Sequence, residues 1–153
     1  AYDKAGLVAR VEPFCNAMGL AWSAATLAVA RAGANTVGEV WANAVPTIFL
    51  PYPYHRDEHQ RFNAEPLVNA GAAVMLKDRI DPIANATQIV GPLTNLMTNR
   101  NQRDKMREAM LSNRPRDGAE AVAMWLAMAM GLSRQTPPPV GACARAPCPP
   151  SFS

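Results

Sequence analysis

Histidine and cysteine are scarce in this chain, with two histidines and three cysteines among 153 residues. The cysteine count is odd, and Cys143 and Cys148 both fall in a Pro-rich end. That is no disulfide scaffold, and it fits a reducing compartment. Both histidines sit in one short stretch, so no distant imidazole is available to complete a metal site. Long apolar runs are also missing. The most apolar stretch, 119–131, covers about thirteen residues and contains Glu120, short of the ~20 a membrane-crossing helix needs. Charge of one sign is only slightly in excess, at +3 with a pI near 9.0. Lysines and arginines are scattered without a dense cluster, so nucleic acid is not indicated. The opening residues, Ala1-Tyr2-Asp3-Lys4, lack the basic-then-apolar pattern of a secretory signal. They also lack methionine and read as the end of a helix, so an internal fragment with sequence before it is expected.

What is present is a globular composition, 49% hydrophobic and 18% charged. About 150 residues is one domain's worth and enough to bury a core. The densest information lies between Arg31 and Ala64. There Arg31-Ala32-Gly33-Ala34-Asn35-Thr36-Val37-Gly38-Glu39 leads to an apolar run ending Phe49-Leu50-Pro51-Tyr52-Pro53, followed by His55-Arg56-Asp57-Glu58-His59-Gln60-Arg61-Phe62-Asn63-Ala64. Each half reads as a strand, a turn of small or polar residues, and a helix opening. This is how α/β proteins place ligand-contacting groups at the carboxyl ends of parallel strands.

Periodicity extends the pattern. Strands are expected at 7–11, 26–30, 47–50 and 73–76, with helices at 16–25, 36–44 and 59–69 between them. Pro66 falls inside the last helix and has to be absorbed by a kink or a late start. Gly71 closes that helix as a C-cap. Single helices between apolar strands imply right-handed crossovers and a parallel sheet covered on both faces. After Asp81-Pro82, a good helix start, Ile83, Ile89, Leu93, Leu96 and Met97 form an apolar stripe. Asn99-Arg100-Asn101 interrupts it, and helices over 104–111 and 118–130 follow. Met106, Met110, Met124, Met128 and Met130 have the helical spacing of packing residues. From Thr136 the Pro, Ala, Cys and Ser content cannot build a core, which makes a disordered tail or a translation artefact.

Several motifs carry chemistry, each beside a plainer explanation. Gly33 suits a turn needing positive φ or close approach of a ligand to the backbone, and is equally an ordinary strand-to-helix turn. The N–H groups of Ala34, Asn35 and Thr36 would open a helix and bind phosphate oxygens or sugar hydroxyls. Glu39, one turn in, can accept two hydrogen bonds from a ribose diol, or serve only as a favourable charge near a helix N-terminus. His55 to His59 matches HxxEH, a zinc-hydrolase signature. That chemistry needs the motif inside a long helix and a third ligand, while Pro51 and Pro53 immediately precede it. Gln60 and Asn63 carry amides that donate and accept, as sugar hydroxyls do; the alternative is a solvated helix face.

Taken in order, Val11-Glu12-Pro13-Phe14, Met18, the Arg31 to Glu39 segment, Pro51-Tyr52-Pro53, His59-Gln60, Asn63-Ala64 and Gly71-Ala72-Ala73 closely resemble the C-terminal half of the MurG-type peptidoglycan N-acetylglucosaminyltransferases, which convert lipid I to lipid II. The resemblance covers about residues 2 to 130. It implies a GT-B glycosyltransferase whose Rossmann-like α/β domain holds UDP-N-acetylglucosamine. Residues 1–133 would be part of that donor domain, incomplete at its N-terminus, and 134–153 the Pro-rich tail. The resemblance implies that the Phe14-Cys15 backbone meets the uracil edge with Met18 near the base. Ala34, Asn35 and Thr36, after Gly33, face the sugar and diphosphate. Glu39 takes the ribose hydroxyls, His59, Gln60 and Asn63 line the sugar site, and Arg31 supports the turn. Family members invert the anomeric carbon without a covalent intermediate. No cofactor or metal is called for, and no Asp-x-Asp motif is present.

The same resemblance places the candidate catalytic base, the acceptor site, the membrane-facing patch and a second glycine-rich loop outside this sequence. Peripheral association with the cytoplasmic face of the bacterial plasma membrane, and lipid I as acceptor, would come through that other half. An isolated fragment is then expected to be marginally stable, with an unpaired sheet edge, and to have no transferase activity. Another GT-B glycolipid transferase and a non-catalytic nucleotide-sugar-binding module are the alternatives, with a zinc hydrolase more remote.

Overall fold

The computed structural model describes residues 2–54, 58–114 and 118–132. The Pro-rich tail and His55 therefore lie outside the described residues. Three short strands, β1 (Ala28–Ala30), β2 (Thr47–Phe49) and β3 (Ala73–Met75), form a parallel sheet in that spatial order. Thr47, Ile48 and Phe49 stand opposite Ala28, Val29 and Ala30 on one side and Ala73, Val74 and Met75 on the other. Helix α1 (Met18–Ala24) leads into β1, α2 (Ala34–Asn43) connects β1 to β2, and α3 (His59–Asn69) connects β2 to β3. Helices α4 (Pro82–Thr98), α5 (Arg100–Ser112) and α6 (Gly118–Ala129) follow.

Alternation along β2 organises the packing, because successive side chains of a strand point to opposite faces. Phe49 joins Trp22, Val37, Val40, Leu67 and Met110 in a core under α1, α2 and α3. Ile48 faces the other way, onto Leu96 and Met106 of α4 and α5, with Ile89 and Leu93 beside them. Both faces of the central strand are thus covered, as near-continuous apolar strands require. Cover is incomplete at the edge: Val29 on β1 is exposed on the face that Ile48 buries.

The strand expected at 7–11 does not form. Leu7, Val8 and Val11 are exposed and outside any sheet. A lone strand has no ladder to satisfy its N–H and C=O groups, so β-prone residues without a neighbouring strand stay irregular. The stripe after Asp81 is also narrower than the spacing predicts. Ile89, Leu93 and Leu96 pack, whereas Ile83 and Met97 point to solvent. Met106 and Met110 are buried and Met130 is exposed, so packing claims only some of the methionines.

Local signals hold better. The Asp81 side chain accepts from the N–H groups of Ile83 and Ala84, with Pro82 in the first turn. The break between α4 and α5 falls at Asn99, whose side chain caps α5 through the Gln102 N–H. Arg103 donates back to the carbonyls of Leu96 and Met97 at the end of α4, groups that lack a helical partner. Pro66 is absorbed within α3. Gly71 sits at φ 70°, and the bonds from Gly71 N–H to Val68 O and from Ala72 N–H to Leu67 O close the helix in a Schellman motif. A Cβ at Gly71 would meet no atom within 4 Å, so backbone strain alone sets the cost of adding one. Gly71→Ala is expected to lower stability by about 1 kcal/mol in urea denaturation. A neutral result would show that this turn relaxes.

Candidate functional site

The carboxyl ends of all three strands converge on Arg31, the residue directly after β1. Its guanidinium donates to the carbonyls of Leu50 (2.9 Å) and Pro51 (3.4 Å) after β2, and to Asp78 after β3. It also lies over the Tyr52 ring, 5.8 Å from the centroid. This geometry ties the loops after the three strands together. Asp78 is nearly fully buried beside the half-exposed guanidinium. Asn85 Nδ2, the Ile80 N–H and Arg31 all donate to the Asp78 carboxylate. Those bonds, Asn85's first, hold its pKa down to about 2 from an ordinary 3.8.

Above this clasp lies the start of α2. Gly33 is its N-cap with φ −62° and makes no side-chain cap, so the expectation of positive φ is corrected: any L-residue adopts this backbone. A Cβ there would meet only Thr36 Oγ1, at 3.9 Å. The chain's own packing therefore does not demand glycine there. The first helical bond runs from the Val37 N–H to Gly33 O. It follows the N–H groups of Ala34, Asn35 and Thr36, which open the helix. Ala34 and Asn35 are exposed and Thr36 is half-buried.

Helix α2 begins two residues earlier than expected. Glu39 is thus its sixth residue, beyond the first turn to which a helix dipole's effect is largely confined. The plain dipole explanation of Glu39 weakens accordingly. Instead its Oε2 accepts a 2.7 Å hydrogen bond from Trp22 Nε1 of α1.

Asn63 and Gln60 are each half-buried and bonded to the fold. Asn63 Nδ2 donates to the Ala32 carbonyl (3.1 Å), tying α3 to the turn before α2. Gln60 Oε1 accepts from the Tyr52 N–H (2.9 Å). Each amide spends one function on the fold, which leaves Gln60 an N–H2 and Asn63 an oxygen to present. His59 opens α3 and is exposed, after Glu58 in a left-handed conformation. The described part of the HxxEH motif therefore straddles a helix start rather than lying within a helix, and the zinc-hydrolase geometry fails there. Phe14 and Cys15 precede α1, and Met18 is its first residue. Phe14 is 76% exposed and Cys15 half-buried. Among the described residues no hydrogen bond ties these three to Arg31, Glu39 or Asn63; α1, to which they lead or belong, packs on α2.

Sequence reasoning missed Trp22, Asp78 and Asn85. Their roles come from partners 17, 47 and 7 residues away, and no short-range pattern marks such pairs.

A parallel three-stranded sheet with connecting helices and a helix N-terminus following β1 defines a Rossmann-like α/β domain. The profile of the glycosyltransferase family 28 C-terminal domain matches residues 2–122, and the chain belongs to that family. A relative in Xylella fastidiosa (strain Temecula1 / ATCC 700964), named UDP-N-acetylglucosamine--N-acetylmuramyl-(pentapeptide) pyrophosphoryl-undecaprenol N-acetylglucosamine transferase, is 42% identical over 80% of this chain and 33% of its own length. A protein of the same name in Methylococcus capsulatus is 38% identical over 80% of this chain and 34% of its own. The crystal structure of Acinetobacter baumannii MurG is similar with a TM-score of 0.57 and 35% identity. The match covers 68% of this chain and 30% of that one. The chain spans about a third of the length of the curated relatives it matches.

Proposed function

We propose that this chain is the donor-binding part of a transferase that moves N-acetylglucosamine from UDP-N-acetylglucosamine to undecaprenyl-diphospho-MurNAc-pentapeptide. The observation that supports this reading is the α2 N-terminus following β1, with the Gln60 amide bonded to the loop after β2 and the Asn63 amide bonded to the Ala32 carbonyl before α2. Relatives named for that transfer support it.

In this reading the N–H groups of Ala34, Asn35 and Thr36 meet the sugar and diphosphate, adding backbone donors where leaving-group charge develops. Glu39 accepts from the ribose diol. Gln60, Asn63 and His59 meet the sugar hydroxyls, while the Phe14-Cys15 backbone and Met18 take the uracil. Gly33 lets the diphosphate approach the chain, and Arg31 fixes the turn without touching donor. The acceptor hydroxyl attacks the anomeric carbon as its bond to the diphosphate oxygen breaks, with inversion, and its proton passes to a base outside these residues. Residues 1–133 are the donor-domain part and 134–153 an appendage to it. The acceptor, the base and attachment to the cytoplasmic membrane face belong to sequence beyond this chain. No described helix is long and apolar enough to cross a membrane.

Calorimetric titration with UDP-N-acetylglucosamine and UDP-glucose tests the reading. Selective binding of the former is expected. Glu39→Ala is expected to weaken it by ~10-fold or more, the scale of a hydrogen bond to a charged group. A folded chain that binds neither sugar nucleotide overturns the donor assignment. Equal binding of the two points instead to a different UDP-sugar transferase.

A further inference from the structure

Glu39 lies on an exposed stretch of α2, where a glutamate ordinarily samples many rotamers and must surrender that freedom to bind anything. Here the freedom is already restricted. Trp22, 8% exposed on α1, donates its indole N–H, the side chain's only polar hydrogen, to Glu39 Oε2 at 2.7 Å. The requirement runs both ways. An indole N–H is donor only and is costly to bury unpaired, so the ring holds the carboxylate as firmly as the carboxylate satisfies the ring. A carboxylate has about four lone-pair sites. One contact at Oε2 leaves Oε1 wholly available, which is enough for the two hydroxyls of a vicinal diol.

We propose that Trp22 is a positioning residue that presets Glu39 for a ribose diol, so that discrimination of ribonucleoside from 2′-deoxyribonucleoside diphosphates depends on the indole N–H. The proposal rests on the donor-site reading above and deepens it. A preset acceptor spares the ligand the ordering cost, and affinity gained this way comes without a new ligand contact. It also couples two parts of the site. Because Trp22 is on α1, the bond that orients Glu39 also fixes the helix that Phe14 and Cys15 lead into and Met18 opens.

The test compares affinities for UDP and 2′-deoxy-UDP in the full chain and in Trp22→Phe, which keeps an aromatic ring and removes the N–H. The unmodified chain is expected to prefer UDP. Trp22→Phe is expected to narrow that preference by ~3–10-fold, through weaker UDP binding and with 2′-deoxy-UDP nearly unchanged. Glu39→Ala is expected to erase it, and adding Trp22→Phe to Glu39→Ala to change nothing more. Equal weakening of both ligands, the mark of a merely structural role, overturns the proposal. So does a preference that survives Trp22→Phe. If the unmodified chain binds UDP without preferring it, the ribose role of Glu39 falls and Trp22's role with it; if it binds neither ligand, the donor reading itself falls. A second measurement needs no Trp22 variant. The Trp22 indole N–H resonance is expected to be protected from solvent exchange and to lose that protection in Glu39→Ala. An indole signal indifferent to Glu39 overturns the proposal.

Discussion

Phe49→Ala is expected to lower the unfolding free energy by about 3–5 kcal/mol, the range for truncating a buried phenylalanine. Phe49 is fully buried at the carboxyl end of the central strand, in the core that joins α1, α2 and α3 to the sheet. Alanine there removes the transfer energy of the ring and leaves a cavity whose walls, Val37 and Val40 of α2 and Leu67 of α3 among them, belong to more than one element and cannot all collapse inward. Domains of this kind have only about 5–15 kcal/mol to lose, so the variant stands near its unfolding threshold at room temperature. Val29→Ala on edge strand β1 is the control, since its side chain is half exposed, and a loss below about 1 kcal/mol is expected. Urea denaturation followed by circular dichroism reads both. Equal losses would contradict a core centred on β2.

Asp78→Ala is expected to cost about 2–3 kcal/mol. The carboxylate accepts from Asn85 and from Ile80, a β-branched residue at φ 66° that is seldom found in that conformation. Arg31 completes the set, but its guanidinium is half exposed, so solvent screening discounts its share. Without the carboxylate, Asn85 and the Ile80 N–H lose their acceptor and Arg31 loses its link to β3. The loop loosens where the three strand ends meet. The same group sets a pH dependence. Its folded pKa, about 2, lies below the ordinary 3.8. Its contribution is therefore complete above the unfolded value and is lost as pH falls from about 4 towards about 2. Asp78→Asn removes that acid limb while keeping the shape, and is expected to be flatter across the window than the parent. An identical acid limb in Asp78→Asn would assign the transition to another carboxylate.

Local grammar was legible in the residues themselves. The Asp81 cap with Pro82, the Asn99 break and the Gly71 stop are set by groups within a few positions of one another. Strands β1, β2 and β3 followed from apolar runs bounded by helices. At 7–11 the same logic failed, because a strand is a property of a pair and the pairing partner is not encoded in the run. At Gly33 only one of the uses open to a glycine is excluded: its φ is ordinary, and the chain's own packing does not demand glycine there.

The sequence by itself determined the α/β class, the order of the elements from α1 onward and the family, because periodicity, caps and in-register motifs are written in neighbouring residues. It also put Gln60 and Asn63 on the helix that follows β2. Tertiary structure alone decided what those residues touch: the Trp22 indole on Glu39, the Ala32 carbonyl on Asn63, and the buried Asp78 that holds Arg31 across all three strands. Such bonds join groups 17 to 47 residues apart. They exist only once the core has closed, when burial makes an unpaired donor or charge too costly to leave and thereby selects its partner.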